Sequence, residues 1–229
     1  MHASKKLFVR SLSILFIFGS LNIIAQDNEE SVEEVVVTGS YLKGSAVDGA
    51  SPVEIISSDT IENLGATTIT DIIRNIAIDS GSENNADSFT SGSTQGTSSV
   101  NLRGLGLSST LVLVDGKRNT VAAQTANDGS VFVDTNSLPV NILDRVEILK
   151  EGAASIYGSD AVAGVVNYIF KEDFTGFEVN ISSQETDVGS QEDNRMSVLM
   201  GKDFGNTNLM LSLSTLDRSP LPGKAKPEY

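Results

Sequence analysis

From Phe177 to Ser182 the chain alternates without a break, with Phe177, Val179 and Ile181 on one side and Glu178, Asn180 and Ser182 on the other. A period of two belongs to an extended strand. Residues 208–214 repeat it, setting Leu209, Leu211 and Leu213 against Met210, Ser212 and Ser214, and residues 195–201 follow it less cleanly. Such alternation suits a half-buried strand of a soluble sheet, and it equally suits a barrel strand with lipid outside and polar matter inside. About three such strands precede a tail containing proline and lysine. Three strands cannot close a barrel, and lipid does not tolerate an open edge. Residues 173–229 are therefore expected to form either a soluble sheet or the first strands of a barrel truncated here.

Residues 51–172 follow a different pattern. After Pro52, "VEIIS" reads as a strand, and Ser57 or Ser58 caps a short helix that Gly65 stops. Near Thr68 a second helix begins, with Asp71 three residues on. It sets Ile69, Ile72, Ile73 and Ile76 on one face, which is predicted to be core. The stretch "GSENNADSFTSGSTQGTSSV", from Gly81, is rich in Ser, Gly and Asn and is expected to be a long exposed loop. "TLVLVDG" is a strand running into an Asp115-Gly116 turn, and "RVEILKEG" and "GVVNYIFK" are further strands with short helical turns between them. Mixed α and β elements over about 120 residues make one compact domain, so the fold class is α+β.

The first fifty residues carry no such pattern. Lys5, Lys6 and Arg10 precede an apolar run from Ser11 to Ile24, and Ala25 offers a small residue for cleavage. The run contains Gly19, Ser20 and Asn22 and falls short of the ~20 apolar residues of a membrane span, so residues 1–25 read as an export signal. Residues 26–50 are polar and acidic, punctuated by Gly39, Gly44 and Gly49, and read as a flexible tether. One β-branched stretch, "EEVVVTGS" at 33–40, stands in it with no nearby strand to pair with.

Charge and composition narrow the function. The formal net charge is −14, and removing the three basic residues of the signal makes it −17, which argues against nucleic acid or anionic lipid as a partner. There is no cysteine, and the one histidine, His2, lies in the signal. A Ser-His-Asp triad, a Cys-His pair and every His/Cys zinc site are thereby excluded from the mature chain. "RGLGLSST" has a G-x-G spacing at Gly104 and Gly106 but precedes a strand instead of linking a strand to a helix, so it is not read as a nucleotide site. "TANDGS" has Ala126 where a calcium loop wants Asp or Asn. Scattered carboxylates such as Glu147 and Glu151 would allow a carboxylate hydrolase only if two of them met in a cleft. No enzyme activity, catalytic residue, metal or cofactor is expected.

Three separated motifs resemble the plug domain of TonB-dependent outer-membrane receptors: "NLRGLG" leading into "TLVLVDGKR", "RVEILKEGAASIYGSDAVAGVVNYIFK", and "EEVVVTGS", which is similar to the family's TonB box. Their order, behind a signal and ahead of alternating strands, is more specific than any one of them. Two positions depart from the family pattern. Lys150-Glu151-Gly152 stands where Arg-Gly-Pro is common, and Ala163 replaces a frequent Gly. The resemblance implies a signal (1–25), a periplasmic tether with the TonB box (26–50), a plug (51–172) and the first strands of a truncated barrel (173–229), all in the outer membrane. It also implies energised import of a scarce nutrient such as a siderophore, cobalamin or oligosaccharide, with the inner-membrane protein TonB as partner through Glu34, Val35, Val36, Val37 and Thr38. Arg103 and Arg145 match family arginines that pair with barrel glutamates; a local ion pair is the alternative for each. Asn84, Asn85, Ser88, Phe89 and Thr90, in the polar loop, are candidates to face the ligand, whose identity the sequence leaves unknown. The competing reading is an exported soluble ligand-binding protein without a barrel.

Overall fold

The computed structural model describes residues 53–80, 96–185 and 192–219. Its first body is a five-stranded mixed sheet in the order β1-β4-β5-β2-β3. The strands are β1 (Val53–Ser57), β2 (Thr110–Val114), β3 (Lys117–Arg118), β4 (Leu143–Leu149) and β5 (Gly164–Phe170). Only β2 and β5 run parallel. β4 lies antiparallel between β1 and β5, with a register shift at Asp144.

Local sequence accounts for the helices. Ser57 accepts a hydrogen bond from Thr60 N and caps α1 (Ser58–Asn63), and Gly65 beyond it takes φ +62, where a side chain would be strained. Thr68 and Asp71 form a reciprocal capping box on α2 (Ile69–Ile73), as their spacing predicts. Ile69, Ile72, Ile73 and Ile76 are all buried, in one cluster with Ile56, Val146, Ile148, Val166 and Tyr168. The opposite face of the sheet buries Leu111, Leu113, Leu149 and Val165 beneath Ala153 and Ala161, which flank the short α3 (Ala154–Tyr157). Both faces being covered, β5 reads as a near-continuous apolar run instead of an alternating one, whereas β4 carries Asp144, Arg145 and Glu147. Asp115 and Gly116, both at positive φ, make the tight turn between β2 and β3.

One expectation fails. At the end of the polar stretch that begins at Gly81, Thr97, Ser98 and Ser99 are buried. Partners far along the chain satisfy their backbone. Ser98 N donates to Asp134 Oδ1 at 3.0 Å, and Ser98 O accepts from Thr135 N at 2.8 Å and from Thr135 Oγ1 at 3.1 Å. Ser and Thr are short enough to be buried wherever such partners exist.

The second body is an antiparallel meander of β6 (Gly176–Glu185), β7 (Glu192–Asp203) and β8 (Asn208–Arg218). Register aligns Phe177 with Met200 and Leu211, and Val179 with Val198 and Leu213, so their side chains form one continuous apolar face. The other face carries Glu178, Asn180, Ser182, Arg195, Ser197, Ser212 and Ser214.

Candidate functional site

Arg145 starts from the sheet geometry. An Arg-x-Glu spacing on a strand puts both side chains on one face, and Arg145 Nε donates to Glu147 Oε1 at 2.9 Å. Its Nη1 donates to Asp144 Oδ2 at 2.7 Å. Glu147 is fully buried and is also met by Asn167, its neighbour on β5, whose Nδ2 lies 3.4 Å from Oε2. Burial alone would lower the Arg145 pKa. The hydrogen bonds it donates to the Asp144 and Glu147 carboxylates, and their charge, outweigh that and hold the guanidinium above its ordinary value, so it stays charged.

Arg103 is built differently. It has a left-handed backbone (φ 58), its N–H donates to Ile78 O at 2.6 Å, and its guanidinium reaches back to Ala163 O at 2.7 Å. Arg103 therefore staples its loop to the start of β5, whereas Arg145 pairs in register with Ile169 near the end of that strand. The strand rise separates those two places by about 20 Å, so the structure does not bring the two arginines together.

What faces the meander is polar. The sheet turns its hydroxyl, amide and charged face, with the fully buried Leu199 among these groups, toward the first body and leaves its apolar face outward, with Phe177 66%, Ile181 76% and Leu209 61% exposed. Three kinds of contact join the two bodies. Asn141, in a 3₁₀ turn before β4, donates from Nδ2 to Val198 O at 3.5 Å and accepts from Ser212 Oγ at 3.0 Å. Lys171 Nζ lies 3.6 Å from the Glu178 carboxylate. Arg195 donates from Nη1 to the Thr67 carbonyl. Between them lies a cleft of about 1310 Å³, lined by Glu62, Asp71 and Arg74 from the first body and by Ser182, Gln184 and Arg195 from the sheet.

Among the described residues no cluster of three or more His, Cys, Asp or Glu is placed to hold a metal. In "TANDGS" the Asp128 carboxylate is taken by Ser130, whose hydroxyl and then backbone N–H hold its pKa below the usual carboxylate value. The stretch 34–38 and residues Asn84, Asn85, Ser88, Phe89 and Thr90 lie outside the described residues. Sequence reasoning missed Arg195 and Asn141. The parity of residues 195–201 puts Arg195 on the face opposite Met196 and Val198, a signal that was available. For Asn141 there was none.

The family model described as TonB-dependent Receptor Plug Domain matches residues 45–165. The iron-regulated outer membrane virulence protein of Vibrio cholerae is 28% identical over 173 residues, 75% of this chain and 25% of that protein. Among solved structures, a mutant ferric enterobactin receptor (PfeA) from Pseudomonas aeruginosa aligns with TM-score 0.57 and 25% identity, over 80% of this chain and 26% of its own. The siderophore receptor PirA from Acinetobacter baumannii aligns with TM-score 0.54 and 26% identity, over 72% of this chain and 24% of its own. The chain thus spans about a quarter of the length of the curated relatives it matches.

Proposed function

The chain belongs to the TonB-dependent receptor plug domain family, and from that premise we propose that it gates energised import through the outer membrane, its first body being the plug and β6–β8 the start of the surrounding wall. The observation that carries the reading is the inverted meander. A soluble sheet packs its apolar face inward, whereas β6–β8 present Ser212, Arg195 and Glu178 to the plug and Phe177, Val179, Ile181, Leu209, Leu211 and Leu213 away from it. A wall strand needs that arrangement, because lipid lies outside and a wet plug surface inside. The soluble binding-protein reading would require a further partner to cover an apolar face three strands wide.

The cargo class proposed is a ferric siderophore, supported by relatives whose names specify iron regulation, ferric enterobactin and siderophore. Energy is proposed to arrive from TonB through residues 34–38. Val35, Val36 and Val37 supply β-propensity for strand addition to a partner sheet, and the Gly-punctuated tether supplies reach. The family premise also gives Arg103 and Arg145 a place at the plug surface. Their local partners would first have to share them with any glutamate of the wall.

The test is uptake of radio-iron by an iron-starved strain whose only siderophore receptor is the full protein, supplied with a panel of ferric siderophores. Uptake of at least one that stops when TonB is deleted is expected. Binding or uptake that is indifferent to TonB would contradict the reading.

A further inference from the structure

Plug and wall meet at two places built in unlike ways. At the first, Asn141 uses both ends of its amide on adjoining wall strands, to Val198 O and from Ser212 Oγ. The next turn of chain reinforces it: Lys171 N donates to Ile142 O at 2.8 Å, and Lys171 Nζ faces Glu178. The chain entering β6 lies so close over β7 that a Cβ on Gly201 would fall 2.0 Å from the Phe174 carbonyl oxygen. This side is also covalently continuous with the wall. Opening it would break several bonds and dislodge close-packed backbone.

At the second place the described residues show one hydrogen bond, from Arg195 to the Thr67 carbonyl in the connection between α1 and α2, with the Asp71 carboxylate adding attraction without a direct ion pair. The acids around it are already engaged. Asp71 Oδ2 accepts from Thr68 N at 2.8 Å, Thr67 N at 3.0 Å and Thr67 Oγ1 at 3.2 Å. Asp193 pairs with Arg218 on the adjoining strand at 2.7 Å. Arg195 Nε is buried without a hydrogen-bond partner among the described residues. A partly desolvated guanidinium resting on one neutral carbonyl regains hydration when it lets go, so its release costs less than breaking a buried ion pair. Around this bond the cleft carries Glu62, Asp71, Arg74, Ser182 and Gln184 beside apolar neighbours such as Ile61 and Leu216, and water can hydrate the polar groups when the bond opens.

We propose that Arg195 is a releasable latch on the α1–α2 half of the plug, while Asn141 and residues 171–174 form a fixed anchor, so that the plug parts from β6–β8 first at α1–α2. Arg195 acts through Thr67, as a positioning residue. The inference rests on reading β6–β8 as wall, which makes the opening lead into the lumen.

Hydrogen–deuterium exchange of the full receptor in detergent micelles tests it without any ligand or energy source. With Arg195→Gln, amides of residues 66–73 should exchange on the order of tenfold faster while those of residues 164–170 keep their rates. Arg195→Lys, which retains a long, charged donor where Gln has a shorter neutral amide, should recover part of the protection. Ser212→Ala should leave residues 66–73 unchanged, since the anchor does not hold them. Unchanged exchange at 66–73 in Arg195→Gln would overturn the latch, as would acceleration spread evenly over β4 and β5. Because this experiment needs no TonB, it can fail while uptake remains TonB-dependent, or succeed where uptake fails.

Discussion

Removing the Arg145 side chain would take the cation from beside the fully buried Glu147 carboxylate. Arg145→Ala is expected to destabilise the plug by on the order of 3–5 kcal/mol, and the double variant with Glu147→Gln by clearly less, because the buried negative charge is gone. Urea midpoints of plug unfolding in the full receptor check this. Tyr168 presents the opposite case. Its hydroxyl is buried with no hydrogen-bond partner among the described residues, and desolvation, with Asp79 adding to it, pushes its pKa well above the ordinary tyrosine value. An unfolded tyrosine ionises near pH ~10 while the folded one stays neutral. The neutral ring's contribution is therefore complete below that pH and lost as pH rises past it. Tyr168→Phe should be neutral or slightly stabilising near pH ~7 and should flatten the loss of stability above pH ~10. Thermal unfolding of the two proteins across that range decides it; parallel curves would contradict the account. The Arg145–Glu147 contact was legible in the sequence because i and i+2 share a strand face. The burial of Ser98 was not, because its partners Asp134 and Thr135 lie 36 and 37 residues away.

Among the elements, those closed by neighbours in sequence were the readable ones. Thr68 and Asp71 announce α2, the Asp115-Gly116 pair announces the turn after β2, and the Ile69–Ile76 periodicity announces a core face. The meander was readable as strands but not in orientation, because a period of two is the same whichever face points to lipid. What fixes orientation is contact with the plug, and the Arg195–Thr67 bond spans 128 residues. The two faces now carry opposite expectations. Leu211→Arg, on the outward face, should cost about 2–4 kcal/mol if the site lies near the bilayer midplane. Ser212→Asn, one residue along on the plug side, should cost far less. Refolding of the full receptor into lipid vesicles, followed by heat-modified mobility, compares them. Equal tolerance at the two positions would contradict the assignment of faces.

At the scale of the whole molecule, the outward apolar face of β6–β8, the polar groups turned toward the first body and the acidic cysteine-free chain fit the proposed arrangement of a plug inside a lipid-facing wall. The α+β class followed from pattern alone, and the family from three ordered motifs; the site's wall contacts required both bodies in place. Import is proposed to be driven by a pull delivered through residues 34–38, and the most direct measurement is siderophore-bound iron uptake by the full receptor carrying Val36→Pro, with binding to cells measured in parallel. Proline removes a backbone donor from the proposed added strand. Binding at the wild-type level with energised uptake abolished is the expected result, and uptake at the wild-type rate would contradict the account.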